Sequence, residues 1–183
     1  DMKDYDKMLK VLDEGIKKFP SNKYLIGNMI NYYLDNNKEQ EAVQYCDAAI
    51  QKDPNNPQYY MIKGEMLIKK NQFDDAIVNL EKAISLDPNN FNAQFECGLA
   101  HEKKGEELQD AANKIKDMKK YNAQRNKAID EFKKSLPFLE KARQINGEDE
   151  MNLRFLRSVY YKLSMNDKYT EVDKALKAIE AKK

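Results

Sequence analysis

The side chains that most often carry chemistry are few in this 183-residue chain. His101 is its only histidine, and neither a Cys-x2-Cys pair nor a second histidine accompanies it. A packed and hydrogen-bonded ring is therefore expected, rather than a metal ligand or a general base. Carboxylate clusters stand at 106–107 and 148–150, near the ends of predicted helices. Glu148 and Asp149 are expected to favour the N-terminus of the following helix rather than to act as acid and base.

The remaining candidate chemistry is equally sparse. The sequence contains no Gly-rich phosphate loop, no nucleophile elbow and no helix with paired histidines. Two cysteines are too few for a disulfide framework, so Cys46 and Cys97 are interpreted as reduced core thiols. These observations predict a protein that is not an enzyme and that needs no cofactor and no metal.

Composition also argues against several kinds of partner. The chain has 32 Lys and Arg against 31 Asp and Glu, which leaves a net charge of +1. Such a balance provides no overall field to steer a polyanion, and nucleic acid is not expected as a partner. No apolar run of about 18 residues is present, so no transmembrane segment is predicted, and no signal peptide is visible.

The elements that must position these residues are indicated by a regular spacing. Pro20, Pro54 and Pro88 lie 34 residues apart, and the last two belong to identical Asp-Pro-Asn-Asn tetrapeptides at 53–56 and 87–90. A fixed period of this length is typical of stacked supersecondary units. Such stacks present a long concave surface, which favours a binding function.

One repeat shows the internal pattern most clearly. Counted from Pro57, positions 4, 8, 11, 20, 24, 27 and 32 are Tyr60, Gly64, Leu67, Ala76, Leu80, Ala83 and Pro88. The first three lie on one face of a first helix, and positions 20, 24 and 27 lie on one face of a second. Small residues at positions 8, 20 and 27 allow the helices to approach closely, and the proline ends the second helix.

This pattern resembles the tetratricopeptide repeat (TPR), whose signature is W-x2-L-G-x2-Y…A-x3-F…P. The resemblance implies an all-α, right-handed superhelical solenoid of antiparallel helix pairs, with about nine helices and one irregular elongated hairpin. It covers a single domain over 1–183, divided into 1–22 (the second helix of a truncated repeat), 23–56, 57–90, 91–149 (elongated) and 150–183 (a C-terminal cap). Helices are expected near 2–19, 23–36, 38–53, 57–71, 73–86, 91–113, 119–145, 149–164 and 167–181.

The period breaks between Gly105 and Pro137, where two alignments compete. Positions 20, 24 and 27 match residues 128, 132 and 135 after an insertion of 18 residues, and residues 135, 139 and 142 after an insertion of 25. The two registers differ by seven residues, or two helical turns. We therefore expect a long second helix over about 121–145, kinked by Pro137, and a first helix that runs past Gly105 to near Lys114.

The tip of this hairpin is basic. Only Asp117 opposes its cationic residues, which are Lys114, Lys116, Lys119, Lys120, Arg125 and Lys127. The stretch is interpreted either as a solvated hairpin end or as a contact for an acidic partner, a phosphate-bearing surface or anionic lipid. Tyr121 is its only aromatic residue, which disfavours nucleic acid.

The resemblance places the partner-binding residues on the concave face, at positions 2, 5, 9, 12 and 13 of each first helix. The candidates are Asn31, Met61, Glu65, Ile68, Phe95, Leu99, Glu102, Met151 and Arg154. Met61, Phe95, Leu99 and Met151 are possible apolar anchors, although residues at such positions can also pack between helices. The basic half of the carboxylate clamp found in chaperone-binding members is missing, because Gly27, Asn92 and Glu96 stand at its positions.

These features lead to two functional hypotheses. The main one is a scaffold that holds a protein or peptide partner on its concave face, and the alternative is a structural spacer of a longer chain. Residues 1–19 resemble a second helix without its partner, so a longer array is expected, together with weak self-association through an open face that includes Tyr5 and Met8. The sequence style is similar to exported TPR proteins of Bacteroidetes-type bacteria, which implies the periplasm, with the cytoplasm as the alternative.

Overall fold

Nine helices and no strand are found in the residues that the computed structural model describes, which are 2–19, 22–36 and 38–182. In chain order the helices are α1 (Met2–Lys18), α2 (Lys23–Asp35), α3 (Glu39–Lys52), α4 (Pro57–Lys69), α5 (Phe73–Leu86), α6 (Phe91–Asn113), α7 (Met118–Ile145), α8 (Glu150–Lys162) and α9 (Asn166–Glu180). The predicted all-α class and the order of the helices are confirmed. Pro20, the first of the spaced prolines, lies outside the described residues.

The repeated tetrapeptide separates one helix pair from the next. Asp53 and Asp87 are the C-caps of α3 and α5, and their backbone N–H groups donate to the carbonyls of residues 49 and 83. The final asparagine of each tetrapeptide is the N-cap of the next first helix: Asn56 Oδ1 accepts from the N–H of residue 58, and Asn90 Oδ1 accepts from that of residue 93. Each Asp-Pro-Asn-Asn therefore ends one helix and starts another.

The turns inside two helix pairs are longer than expected. Helices α4 and α8 end two residues before their predicted ends, because Asn71 and Ser164 adopt left-handed backbone conformations with φ of 58° and 57°. In both turns the N–H groups of the left-handed residue and of the residue after it donate to carbonyls of the last helical turn, as in a Schellman motif. For example, Gln72 N–H donates to the Leu67 carbonyl at 2.9 Å.

Small residues set the distance between paired helices, as the spacing predicted. Ala76 and Ala83 are fully buried. A Cβ atom added to Gly64 would lie 2.5 Å from Leu80 Cγ, so the first helix of this pair comes into direct contact with the side chain of the second. Cys46 and Cys97 are buried free thiols, and burial raises the pKa of Cys46 to about 12, so both are interior packing residues.

The irregular repeat forms a hairpin of two long helices, α6 and α7. Both competing registers are present in it, because a Cβ on Gly98 would lie 2.6 Å from Leu139 and one on Gly105 would lie 2.5 Å from Phe132. In an antiparallel pair, seven residues forward in one helix and seven residues back in the other both amount to two turns in the same direction. The same contact therefore recurs two turns along the hairpin. Pro137 lies inside α7, as expected.

The hairpin projects beyond its neighbours. Helix α6 has 23 residues whereas α4 has 13, and at 1.5 Å per residue the difference amounts to about 15 Å of additional helix. The turn that joins α6 to α7 therefore lies well outside the stack.

Direct contacts between first helices show which side of the stack is the inner one. Helix α4 contacts α6, and α6 contacts α8, in addition to the contacts between successive helices. No second helix contacts another second helix within the described part of the chain. Elements on the inside of a curve lie closer together than those on the outside, so α4, α6 and α8 form the inner face.

Candidate functional site

The inner face presents a mixture of open and closed positions. Of the candidates predicted from the sequence, Asn31, Met151 and Arg154 are exposed, and Glu65, Ile68, Phe95 and Leu99 are half-buried. These seven side chains remain accessible to a partner. Arg154 is already engaged, since its Nη2 lies 2.6 Å from Glu150 Oε1 and 3.0 Å from Glu180 Oε1.

Two candidates are closed off. Met61 is 7% exposed and belongs to the apolar core, and Glu102 is 1% exposed. Helix α6 contacts the first helices of both neighbouring repeats, α4 and α8. These contacts cover positions that would be open on an isolated helix pair. Met61, which the sequence offered either as an anchor or as a residue packed between helices, is therefore a packing residue.

A row of phenylalanine rings crosses the inner face. The rings of Phe91 and Phe95 stack with centroids 6.1 Å apart, and Phe95 meets Phe155 of α8 edge-to-face at 5.7 Å. The Lys103 ammonium lies 6.0 Å from the centroid of the Phe155 ring. Phe155 was missed from sequence because it stands at position 6 of its repeat, outside the positions expected to line the face. The row joins two repeats into one apolar strip.

A cluster of paired charges lies beside this strip. Lys162 of α8 donates to Glu102 and also to Glu106 Oε1 at 2.8 Å, while Lys103 donates to Glu106 Oε2 at 2.8 Å. Burial raises the pKa of Glu102 despite the opposing effect of Lys162. Burial acts in the same direction on Glu106, but hydrogen bonds from Lys103 and Lys162 hold its pKa below the ordinary value. The cluster connects α6 to α8 across the inner face.

Another carboxyl group, on Glu96, titrates near neutral pH. Burial, reinforced by the Glu65 carboxylate of α4 and opposed by Lys69, raises the pKa of Glu96 to about 7. Glu65 is itself paired with Lys69, Nζ to Oε1, at 3.0 Å. The charge between α4 and α6 therefore depends on pH in the physiological range.

An amide-rich depression of about 490 Å³ lies at the edge of the inner face. Its lining consists of Tyr24, Gly27, Asn28, Asn31, Asn56, Pro57, Gln58, Asp87 and Asn90. Asn31 is the only predicted site residue in it. The floor is open at Gly27, because no atom lies within 4 Å of where its Cβ would stand. Side-chain amides can both donate and accept hydrogen bonds, so the depression suits a neutral polar group.

The basic hairpin tip lies apart from the inner face. All six of its cationic side chains are exposed, and none pairs with an acidic side chain among the described residues. The carboxylate of Asp117 accepts from the N–H of Lys120 at 2.8 Å and so caps α7. Met118, the first residue of that helix, is 70% exposed.

His101 is a packed ring, as expected. It is 6% exposed, its Nδ1 lies 2.7 Å from Glu131 Oε2, and the ring stacks on Phe138 with centroids 5.7 Å apart. No group of three or more His, Cys, Asp or Glu residues suited to a metal ion occurs in the described ranges. Over the same residues, no helix combines the length and the apolar character needed to cross a bilayer.

The fold and the inner face together define an all-α solenoid of the TPR type. A family model described as "TPR repeat" matches residues 64–105, which contain the last part of α4, all of α5 and most of α6. No curated protein shows a significant sequence match.

Solved structures resemble the chain over most of its length. MamA superimposes with a TM-score of 0.70 at 18% identity, covering 99% of this chain and 91% of MamA. A thermophilic TPR protein of Thermus thermophilus gives 0.57 at 14% identity, over 84% of this chain and 72% of its own. The human IFIT1 dimer with m7Gppp-AAAA gives 0.67 at 17% identity, over 90% of this chain but only 35% of IFIT1. At these identities the likeness establishes the fold.

Proposed function

We propose that this protein is an interaction scaffold that holds a peptide segment of a partner protein against the inner face of α4, α6 and α8. The observation that carries this proposal is the phenylalanine row of Phe91, Phe95 and Phe155. Half-buried Leu99 stands four residues after Phe95 in α6, and exposed Met151 stands four residues before Phe155 in α8, so each shares a helix face with the row. Partly exposed aromatic and methionine side chains on a concave surface are the usual anchors of protein interfaces. The proposed division into repeats at 23–56, 57–90, 91–149 and 150–183 is supported by the first residues of α2, α4, α6 and α8, which are 23, 57, 91 and 150.

The surroundings of the row suit a peptide of mixed character. Lys103, Glu106 and Lys162 form a paired cluster on one side, and the carboxyl groups of Glu65 and Glu96 lie between α4 and α6. Polar groups around an apolar centre are typical of interface rims. The peptide is therefore expected to place an apolar side chain on the Phe95–Phe155 pair and polar groups on either side.

The test is a peptide-display selection on the wild-type protein, followed by affinity measurements for the selected peptides. The variant is Phe95→Ala with Met151→Ala, and the matched control is Val78→Ala, since Val78 of α5 is 65% exposed on a second helix. Loss of central anchors typically costs more than 1.4 kcal/mol, which is about tenfold in affinity. The double variant should bind at least about tenfold more weakly, while the control should match the wild type.

The alternative, a structural spacer, makes the opposite prediction. If the selection yields no peptide, or if the double variant binds every selected peptide as well as the wild type, then the inner face is not the binding site. Both proteins must keep the helical circular dichroism of the wild type for the comparison to hold.

We also propose weak self-association through α1. Leu12 and Ile16 are buried in the core shared with the following repeat, whereas Met8 is 40% and Val11 is 67% exposed. The Tyr5 side chain lies outside the described residues. An apolar stripe at the end of a stack can be covered by a second copy of the same stripe.

A further inference from the structure

We propose that the tip of the α6–α7 hairpin is a docking point for an anionic bilayer surface. Residues 114–127 contain six positively charged and one negatively charged side chain, for a net charge of +5. Since the whole chain has a net charge of +1, all other residues together carry −4. The net positive charge of this protein therefore comes from one short segment.

The positive charges at the tip are free to pair with an external anion, whereas those near the base of the same hairpin are already paired with carboxylates. Near the base, Lys103, Lys104 and Lys162 are all paired with carboxylates, at 2.8 Å, 2.5 Å and 2.8 Å respectively. At the tip, the six cationic side chains are exposed and form no ion pair with any described residue. The only carboxylate there, Asp117, is occupied in capping α7.

The overhang carries the lysines of the tip away from the acidic remainder of the protein, while Arg125 lines a crevice together with Glu106 and Asp110. The hairpin extends about 15 Å beyond the neighbouring helices, whereas the Debye length at physiological ionic strength is about 8 Å. Open crevices of about 500 Å³ and 440 Å³ lie along its two sides, the first against α8 and the second against the start of α5. A charged surface that meets the tip is therefore little affected by the negative charge of the rest of the chain.

The chemistry of the tip favours a bilayer over other polyanions. Five of its six cations are lysines, which act as mobile point charges, whereas specific recognition of a carboxylate or phosphate usually relies on the arginine fork. Its only ring, Tyr121, is half-buried, so there is no platform for stacking bases. The 70%-exposed Met118 stands among the lysines, where an apolar side chain can enter the boundary between head groups and acyl chains.

Binding to vesicles tests this proposal. The intact protein is sedimented with phosphatidylcholine vesicles that contain or lack phosphatidylglycerol. The tip variant is Lys116→Gln, Lys119→Gln, Lys120→Gln. The matched control, Lys52→Gln, Lys70→Gln, Lys82→Gln, removes the same charge at exposed positions elsewhere. Each lysine near an anionic surface contributes about fivefold to the partition constant, so the tip variant should bind about a hundredfold more weakly.

The expected result is salt-sensitive binding of the wild type and the control to anionic vesicles only. A glutamate-rich peptide and a single-stranded RNA are measured in parallel. If the wild type does not bind anionic vesicles, if the control loses as much binding as the tip variant, or if the peptide or the RNA binds more tightly than the vesicles, the proposal is overturned.

A second measurement does not depend on the lysine variants. A polarity-sensitive fluorophore attached at Met118→Cys should shift to the blue when anionic vesicles are added, because the side chain leaves water. The same label at Val78→Cys, on an outer helix, should not shift. An unchanged signal at position 118 would overturn the proposed insertion even if the vesicles still sediment the protein.

Discussion

At the scale of single residues, glycine sets how closely paired helices approach. Gly64, Gly98 and Gly105 each face a large side chain of the opposite helix so closely that no Cβ fits without displacing it. Close packing was predicted for position 8 of the repeat, which Gly64 occupies. The spacing left two registers for the long hairpin, and both are realised because Gly98 meets Leu139 while Gly105 meets Phe132.

Adding one methyl group at Gly105 should therefore destabilise the fold. In Gly105→Ala the new Cβ would stand 2.5 Å from Phe132 Cε1, and the displacement of a buried ring should lower the free energy of unfolding by about 1–3 kcal/mol. Gly27→Ala is the matched control, because nothing lies within 4 Å of that Cβ position and alanine favours the helix by up to about 1 kcal/mol. Urea denaturation of both variants measures the difference, and equal midpoints would contradict this packing.

At the scale of elements, a charge network centred on the buried Glu131 joins three helices. Asp74 of α5 pairs with Lys104 of α6 at 2.5 Å, and Lys104 also lies 3.4 Å from Glu131 of α7. Glu131, which is 5% exposed, also accepts hydrogen bonds from His101 at 2.7 Å and from Lys134 at 2.8 Å. Most of these partners lie about 30 residues apart in the chain, so their pairing depends on how α5, α6 and α7 pack.

This network should make stability depend on pH on the acid side. Burial alone would raise the pKa of Glu131, but hydrogen bonds from Lys134 and His101 and the charge of Lys104 hold it below its ordinary value. A carboxyl group with a lowered pKa stabilises the fold above the unfolded value of about 4.3, and this stabilisation is lost as the pH falls through the folded pKa. Glu131→Gln should lower the Tm at neutral pH and reduce its further decrease in acid.

Thermal unfolding followed from neutral pH down to about pH 3, below the ordinary glutamate pKa, checks this expectation. Glu107→Gln is the control, since Glu107 is exposed on the same hairpin and forms no ion pair with the described residues. A Tm profile for Glu131→Gln that parallels the wild type at every pH would show that the network does not contribute to acid sensitivity.

At the scale of the whole molecule, the two ends of the stack differ. Helix α9 exposes charged residues such as Lys174 and Lys177, which suits a face in contact with water. Helix α1 instead exposes Met8 and Val11. An apolar end and a polar end do not complement each other, so an association through α1 should join two like ends rather than form a filament.

A charge placed on the apolar end should prevent that association. Val11→Glu puts a carboxylate at the centre of the stripe, whereas Val78→Glu places the same charge at a position of nearly equal exposure, 65% against 67%. Sedimentation velocity at rising concentration should show weak dimers of the wild type and of Val78→Glu, and only monomers of Val11→Glu. A wild type that stays monomeric throughout would disprove the self-association.

The sequence by itself determined the class of the fold, the order and approximate bounds of the helices, and the burial of Ala76 and Ala83. These features follow from the 34-residue period, from capping residues and from side-chain size, all of which act within one or two turns or recur in each repeat. The ends of α4 and α8 were misjudged by two residues, because left-handed conformations at Asn71 and Ser164 have no sequence requirement as strict as that of glycine.

The tertiary structure alone decided which inner-face positions are open. Met61 and Glu102 stand at positions that line the concave face in the repeat pattern, yet they are buried because α6 touches both α4 and α8. The same contacts bring Phe155 against Phe95 and Lys162 against Glu102. These pairs are about 60 residues apart in sequence, and their meeting depends on the curvature of the stack, which arises from the packing of whole helices rather than from any local pattern.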